Sequence, residues 1–160
     1  MIFLSVMSLP GIMPSISGKL FCLPVARASS FFLGSPSEVQ KDGSYLIEAG
    51  GLPVSVSESC NAFNYFVLLY TLLMGTCVYY LPIPRAMLNA FPLLLLSYAV
   101  SVAANTARVI ASVYVYKIGA AFLPGNYERA LHMSVGIAIF LTVTLISFIF
   151  FERRFSGGNR

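Results

Sequence analysis

The chain has 160 residues, 58% of them hydrophobic and only 10% charged, against roughly 25% charged in soluble globular domains. That length leaves room for one domain, and the composition excludes a soluble enzyme in favour of a polytopic membrane protein. The formal net charge is +4, yet the lysines and arginines are scattered without the run that a nucleic-acid-binding tail needs. The excess therefore reports membrane topology, and no nucleic-acid partner is expected.

In chain order, Met1 to Gly18 is uncharged but broken by Pro10, Gly11 and Pro14. It lacks the basic start and small-residue cleavage site of a signal peptide and reads as a poor first span. Lys19 to Ser37 is a mixed segment expected to lie at the membrane interface. Ser35 to Ser59 is the most polar region. Its turn signals Asp42-Gly43 and Gly50-Gly51 flank Tyr45-Leu46-Ile47-Glu48 and precede Leu52-Pro53-Val54-Ser55-Val56-Ser57, which predicts a small hairpin on the outer face.

The spans follow from the gaps between charges. No charge falls between Glu58 and Arg85, only Arg108 between Arg85 and Lys117, and none between Arg129 and Glu152. Each gap holds the roughly 20 apolar residues that a transmembrane helix needs. The expected spans are Ala62 to Leu81, Ala86 to about Ala107, and Leu131 to Phe151. Val109 to Leu123 is also apolar but short and interrupted by Lys117; either the second helix continues past Arg108 or this segment lies on the membrane surface. The loop Leu123 to Arg129 is expected to close the outer face. The fold class is thus all-α: a membrane bundle of about four transmembrane helices, residues 1–160 forming one domain, with a short hairpin-like extracytoplasmic segment before Cys60.

Orientation comes from the tail. Cytoplasmic connections carry Lys and Arg, so Arg153, Arg154 and Arg160 belong inside, as does Arg85 in the turn Leu81-Pro82-Ile83-Pro84-Arg85. Cys60, Arg108 and His132 then share the outer face.

These three are the residues with chemistry to offer. Cys22, Cys60 and Cys77 form no CxxC pair, and a single histidine cannot complete a usual zinc set with them; no metal and no cofactor are expected. The odd count argues against a disulfide framework and leaves a Cys22–Cys60 bridge open. Cys77, inside an apolar run, is expected to be a small hydrophobic filler. Cys60 opens a helical run, where the helix dipole favours a thiolate, although a lone cysteine is more often a buried small residue. A guanidinium at Arg108 within apolar sequence costs several kcal/mol unless paired or hydrated; snorkelling from a helix end is the plain alternative. Asn105, three residues earlier, shares its helix face. His132 heads His132-x-x-x-Gly136-x-x-x-Phe140, with Gly136 leaving room for a close neighbour, and a lone histidine often serves only to bond helices. Co-location raises the joint case. A thiolate, an imidazole and a cation on one membrane face are the parts of acyl transfer through a covalent intermediate.

The order Cys60, then Asn105-x-x-Arg108, then His132 with Gly136 four residues on, each at a hydrophobic helix, resembles the exosortase and archaeosortase family of polytopic membrane cysteine transpeptidases. The polar approach from Gly43 to Cys60 is similar too. The likeness covers about residues 40–150, taken as the catalytic core, and Asn64-Tyr65-Phe66 makes the chain most similar to the small exosortase K type. The resemblance implies Cys60 as nucleophile, His132 as proton shuttle and Arg108 as oxyanion or substrate-positioning group. Asn105, Asn64, Asn61 and Glu58 would bind substrate or support the site. It further implies, as substrates, exported proteins with a C-terminal sorting signal of PEP-CTERM kind, and an inner-membrane location with the active site facing outward. One departure stands out: the family follows its cysteine with a small residue and glycine, whereas Asn61-Ala62 follow here.

The rival reading is a non-enzymatic membrane bundle that serves assembly or export, with Arg108 and His132 holding helices together. A carrier or channel fits less well, because the polar groups gather at one face.

Overall fold

The computed structural model describes residues 18–40, 43–57, 62–119 and 128–156. The expected first span, Met1 to Gly18, and most of the loop expected at Leu123 to Arg129 lie outside them. The chain divides into two compact units, Met1–Asn61 and Ala62–Arg160.

In the first unit, a π-helical turn at Gly18–Cys22 leads into helix α1, Leu23–Leu33. Pro24 is tolerated in the first turn, where its missing N–H has no intrahelical carbonyl to meet. Gly34 ends the helix with φ 65°, the left-handed conformation that glycine adopts without strain. The Gly34 N–H donates to the Phe31 carbonyl at 3.4 Å and the Ser35 N–H to the Ser30 carbonyl at 3.2 Å. The segment expected to be mixed and interfacial is therefore largely helical. Its buried residues, Phe21, Cys22, Val25, Ala26 and Ser29, recur at helical spacing, a pattern diluted in the sequence by the exposed Phe31 and Phe32.

The expected hairpin is present and has a third strand. Strands β1 (Ser37–Val39), β2 (Tyr45–Ala49) and β3 (Leu52–Val56) form an antiparallel sheet in the order β1-β2-β3. Gly50 and Gly51, at φ 63° and 82°, form the tight turn whose twist suits a two-residue hairpin, and Ala49 pairs with Leu52 across it. Ile47, Ala49 and Val56 are buried, and α1 packs on β2 and β1.

The described residues of the second unit form three long helices: α2 (Ala62–Tyr80), α3 (Ile83–Gly119) and α4 (Glu128–Ser156). Each is long and apolar enough to cross a membrane. A tight turn joins α2 to α3, with the Pro82 carbonyl accepting from the N–H groups of Arg85 and Ala86 at 2.9 and 3.0 Å. The core runs along Tyr65, Leu69, Leu73 and Cys77 of α2 and Ala86, Leu93 and Ala104 of α3, with Phe140, Val143 and Phe151 of α4 packed on it. Cys77 is wholly buried there, as expected of a filler. The opposite face of α4 carries Met133, Ile137, Leu141, Leu145 and Ile149, all exposed and suited to lipid.

Helix α3 settles the open question about Val109 to Leu123 as far as Gly119, because it runs past Arg108 without a break to that residue; residues 120–123 lie outside the described residues. Its 37 residues measure about 55 Å at about 1.5 Å per residue, well beyond a hydrocarbon core of about 30 Å. Arg108 lies about 38 Å along the helix from Ile83, near the far boundary of a bilayer that begins at the α2–α3 turn. At the near boundary the Tyr80 hydroxyl hydrogen-bonds Glu152, next to Arg153 and Arg154. Of the cations expected inside, Arg85, Arg153 and Arg154 thus gather at one end of the bundle, and Arg160 lies outside the described residues.

Candidate active site

Four residues from three helices meet at the other end of the bundle. On α3, Ser97, Ser101 and Asn105 are buried at successive four-residue intervals, and Arg108 follows three residues on, so one face of the helix carries a polar stripe. It extends about 16 Å along the axis. The small serines let neighbouring helices approach closely, while Thr106, on an adjacent face, returns its hydroxyl to the Val102 carbonyl at 2.8 Å.

Arg108 crosses to α4. Its side chain lies so close over Gly136 that a Cβ there would be 2.7 Å from Nε and 3.1 Å from Cδ. The guanidinium carbon is 5.6 Å from the centroid of the Phe140 ring, a cation–π distance at which a desolvated cation is stabilised. A side chain at 136 would thus have to displace Arg108.

Phe140 also receives α2. The Tyr65 ring stacks on it with centroids 4.4 Å apart, and the Tyr65 hydroxyl lies 3.2 Å from Thr144 Oγ1 and donates to the Phe140 carbonyl at 3.4 Å. Phe140 therefore ties the first turn of α2 to Arg108 of α3. His132 belongs to α4 one turn before Gly136, on the same helix face.

The expected site residues fall into three groups. Arg108 and Asn105 share a face, and the backbone at His132 lies one turn from the Arg108 contact. Asn64 is exposed and off the buried Ala62–Tyr65–Leu69 face of α2. Cys60, Asn61 and Glu58 lie outside the described residues, Cys60 preceding the first residue of α2 by two positions. Sequence reasoning did not single out Ser97 and Ser101, and it used Tyr65 only within the run Asn64-Tyr65-Phe66, with no packing role. The four-residue spacing Ser97, Ser101, Asn105 was the available signal for the serines, whereas nothing local in the sequence pointed Tyr65 at Phe140.

A membrane bundle with an arginine seated on a glycine at one end is matched over residues 2–149 by the family model described as transmembrane exosortase. The chain belongs to the transmembrane exosortase family. This exosortase is a multi-pass membrane protein, and its family is one of membrane sorting transpeptidases acting on exported proteins. No curated protein and no solved structure matches the chain significantly.

Proposed function

We propose that this exosortase cleaves a C-terminal sorting signal of PEP-CTERM kind through an acyl-enzyme at Cys60, on the outer face of the cytoplasmic membrane. The observation that carries the reading is the seat of Arg108 on Gly136, one helical turn from His132. A cation held one helical turn along α4 from the position of His132 supports a reading in which the two serve cysteine acyl transfer.

In this mechanism the Cys60 thiolate attacks the scissile carbonyl, and the resulting oxyanion is stabilised by the Arg108 guanidinium. Protonated His132 gives its proton to the leaving amine as the C–N bond breaks, leaving a thioester on Cys60. An incoming water or surface acceptor then loses a proton to His132, attacks the thioester and releases the thiolate. Asn105 supports Arg108 from the same face of α3, and Glu58, Asn61 and Asn64 flank the nucleophile in sequence. The catalytic core of this proposal is about residues 40–150.

Membrane burial supplies selectivity. A substrate whose sorting signal includes an apolar helix is confined to the bilayer, which raises its effective concentration and fixes the depth of its motif.

The test is co-expression with an exported reporter ending in a Pro-Glu-Pro motif, an apolar helix and a basic tail. Processing by the wild-type chain and its loss in Cys60→Ala at unchanged membrane level is the expected result. Processing that persists in Cys60→Ala excludes the cysteine mechanism.

A further inference from the structure

Among the described residues, the edge of β3 just upstream of the proposed nucleophile pairs with no further strand. The Gln40 N–H donates to the Ser44 carbonyl at 2.8 Å, and the pairs Val39–Tyr45 and Glu38–Leu46 follow. Because hydrogen-bonded and non-hydrogen-bonded pairs alternate, Leu46 bonds towards β1 while Tyr45, Ile47 and Ala49 bond towards β3. Their partners Val56, Val54 and Leu52 therefore spend their backbone groups on β2. Pro53 and Ser55 present theirs to the opposite edge. Among the described residues β3 pairs only with β2, and both Pro53 and Ser55 are exposed.

Edge strands are a hazard that proteins commonly blunt with proline, and Pro53 does so near the Gly50-Gly51 turn by removing an outward N–H. The protection is one-sided. Ser55 keeps both its outward N–H and its outward carbonyl, and it lies on the side of Pro53 that leads to Cys60. Cys60 is five positions further on, at most about 18 Å of extended chain. A peptide strand of the same length laid beside Ser55 covers that span.

We propose that the free edge of β3 at Ser55 binds the extended segment of the exported substrate that precedes its apolar helix, adding it to the sheet as a fourth strand. This rests on the exosortase reading. Backbone pairing holds any sequence in an extended form, as an attack on a peptide carbonyl requires, and leaves motif recognition to side chains.

The experiment uses the full chain in membranes and the Pro-Glu-Pro reporter. In a Cys60→Ala, Ser55→Cys chain, single cysteines are scanned through the reporter segment ahead of its apolar helix, and disulfide cross-links are measured. Cross-linking at every second position is expected, because side chains alternate along a strand. A helical interval or no cross-link overturns the proposal. In the kinetic arm, Ser55→Pro removes the outward N–H without touching the β2 ladder and raises KM about tenfold, while Ser37→Pro, which removes an outward N–H from the opposite edge at β1, leaves it unchanged; equal KM in all three overturns the proposal. Should Ser55→Pro fail to accumulate, the cross-link scan decides. Cys60-dependent processing without these signatures sinks the edge-binding proposal alone, whereas absent or Cys60-independent processing sinks the catalytic reading and this inference with it.

Discussion

Arg108 and Gly136 are matched in shape: the arginine side chain occupies the space a Cβ would need, with Nε 2.7 Å from that position. Gly136→Ala must displace Arg108, since the helix backbone is the stiffer partner. A displacement of about 1 Å at a catalytic group lowers rates by about 100-fold. The expected outcome is a loss of processing of that order with the chain still present in the membrane, read from reporter cleavage and protein level together. Unchanged cleavage in Gly136→Ala would separate Arg108 from the reaction.

Arg108→Lys is expected to fail as a replacement. Lysine keeps the charge but has no planar group to lie over Phe140 and no fork of donors for an oxyanion. Processing in Arg108→Lys should stay within about tenfold of Arg108→Ala, measured under identical expression. Near-wild-type activity in the lysine variant would show that charge alone suffices.

Tyr65 offers a separation of stacking from hydrogen bonding. Tyr65→Phe keeps the ring against Phe140 and loses the contacts with Thr144 and the Phe140 carbonyl, a change of about 1 kcal/mol. Tyr65→Ala removes the ring as well and is expected to cost about 3 kcal/mol. Thermal unfolding in detergent should rank wild type, Phe and Ala in that order.

The difference between bundle and lipid faces is testable at neighbouring residues. Leu69 is wholly buried in the core, whereas Leu68 is 56% exposed. In a bilayer both leucines are in apolar surroundings, so the penalty for Leu69→Ala comes from lost packing, about 2 kcal/mol. Leu68→Ala should be near neutral, because lipid fills the space. Equal destabilisation of the two in detergent or bicelles would contradict the assigned faces.

The three spans were readable in the sequence because charge gaps of the right length leave few alternatives in a membrane, and helix α2 falls within one residue of the expected Ala62 to Leu81. Gly50-Gly51 likewise announced the hairpin. Strand β1 was missed because three residues, Ser37, Glu38 and Val39, are too few to show alternation. Helix α1 was missed because its apolar residues are shared between a buried and an exposed face. At the site, Arg108 drew notice as a cation in apolar sequence, and Gly136 as a small residue one turn after His132. That Arg108 fills the space over Gly136 while Tyr65 grips the same Phe140 depends on how three helices pack. No local pattern encodes it.

The central claim is an activated thiol at Cys60 on the outer face, served by His132 and Arg108. Its most direct test is labelling of Cys60 in intact cells with a membrane-impermeant thiol reagent, as a function of pH, in wild type, His132→Ala and Arg108→Ala. Rapid, pH-dependent labelling that slows in the two variants is the expected result. Labelling that appears only after the cells are permeabilised would contradict the assigned orientation and with it the proposed catalytic triad.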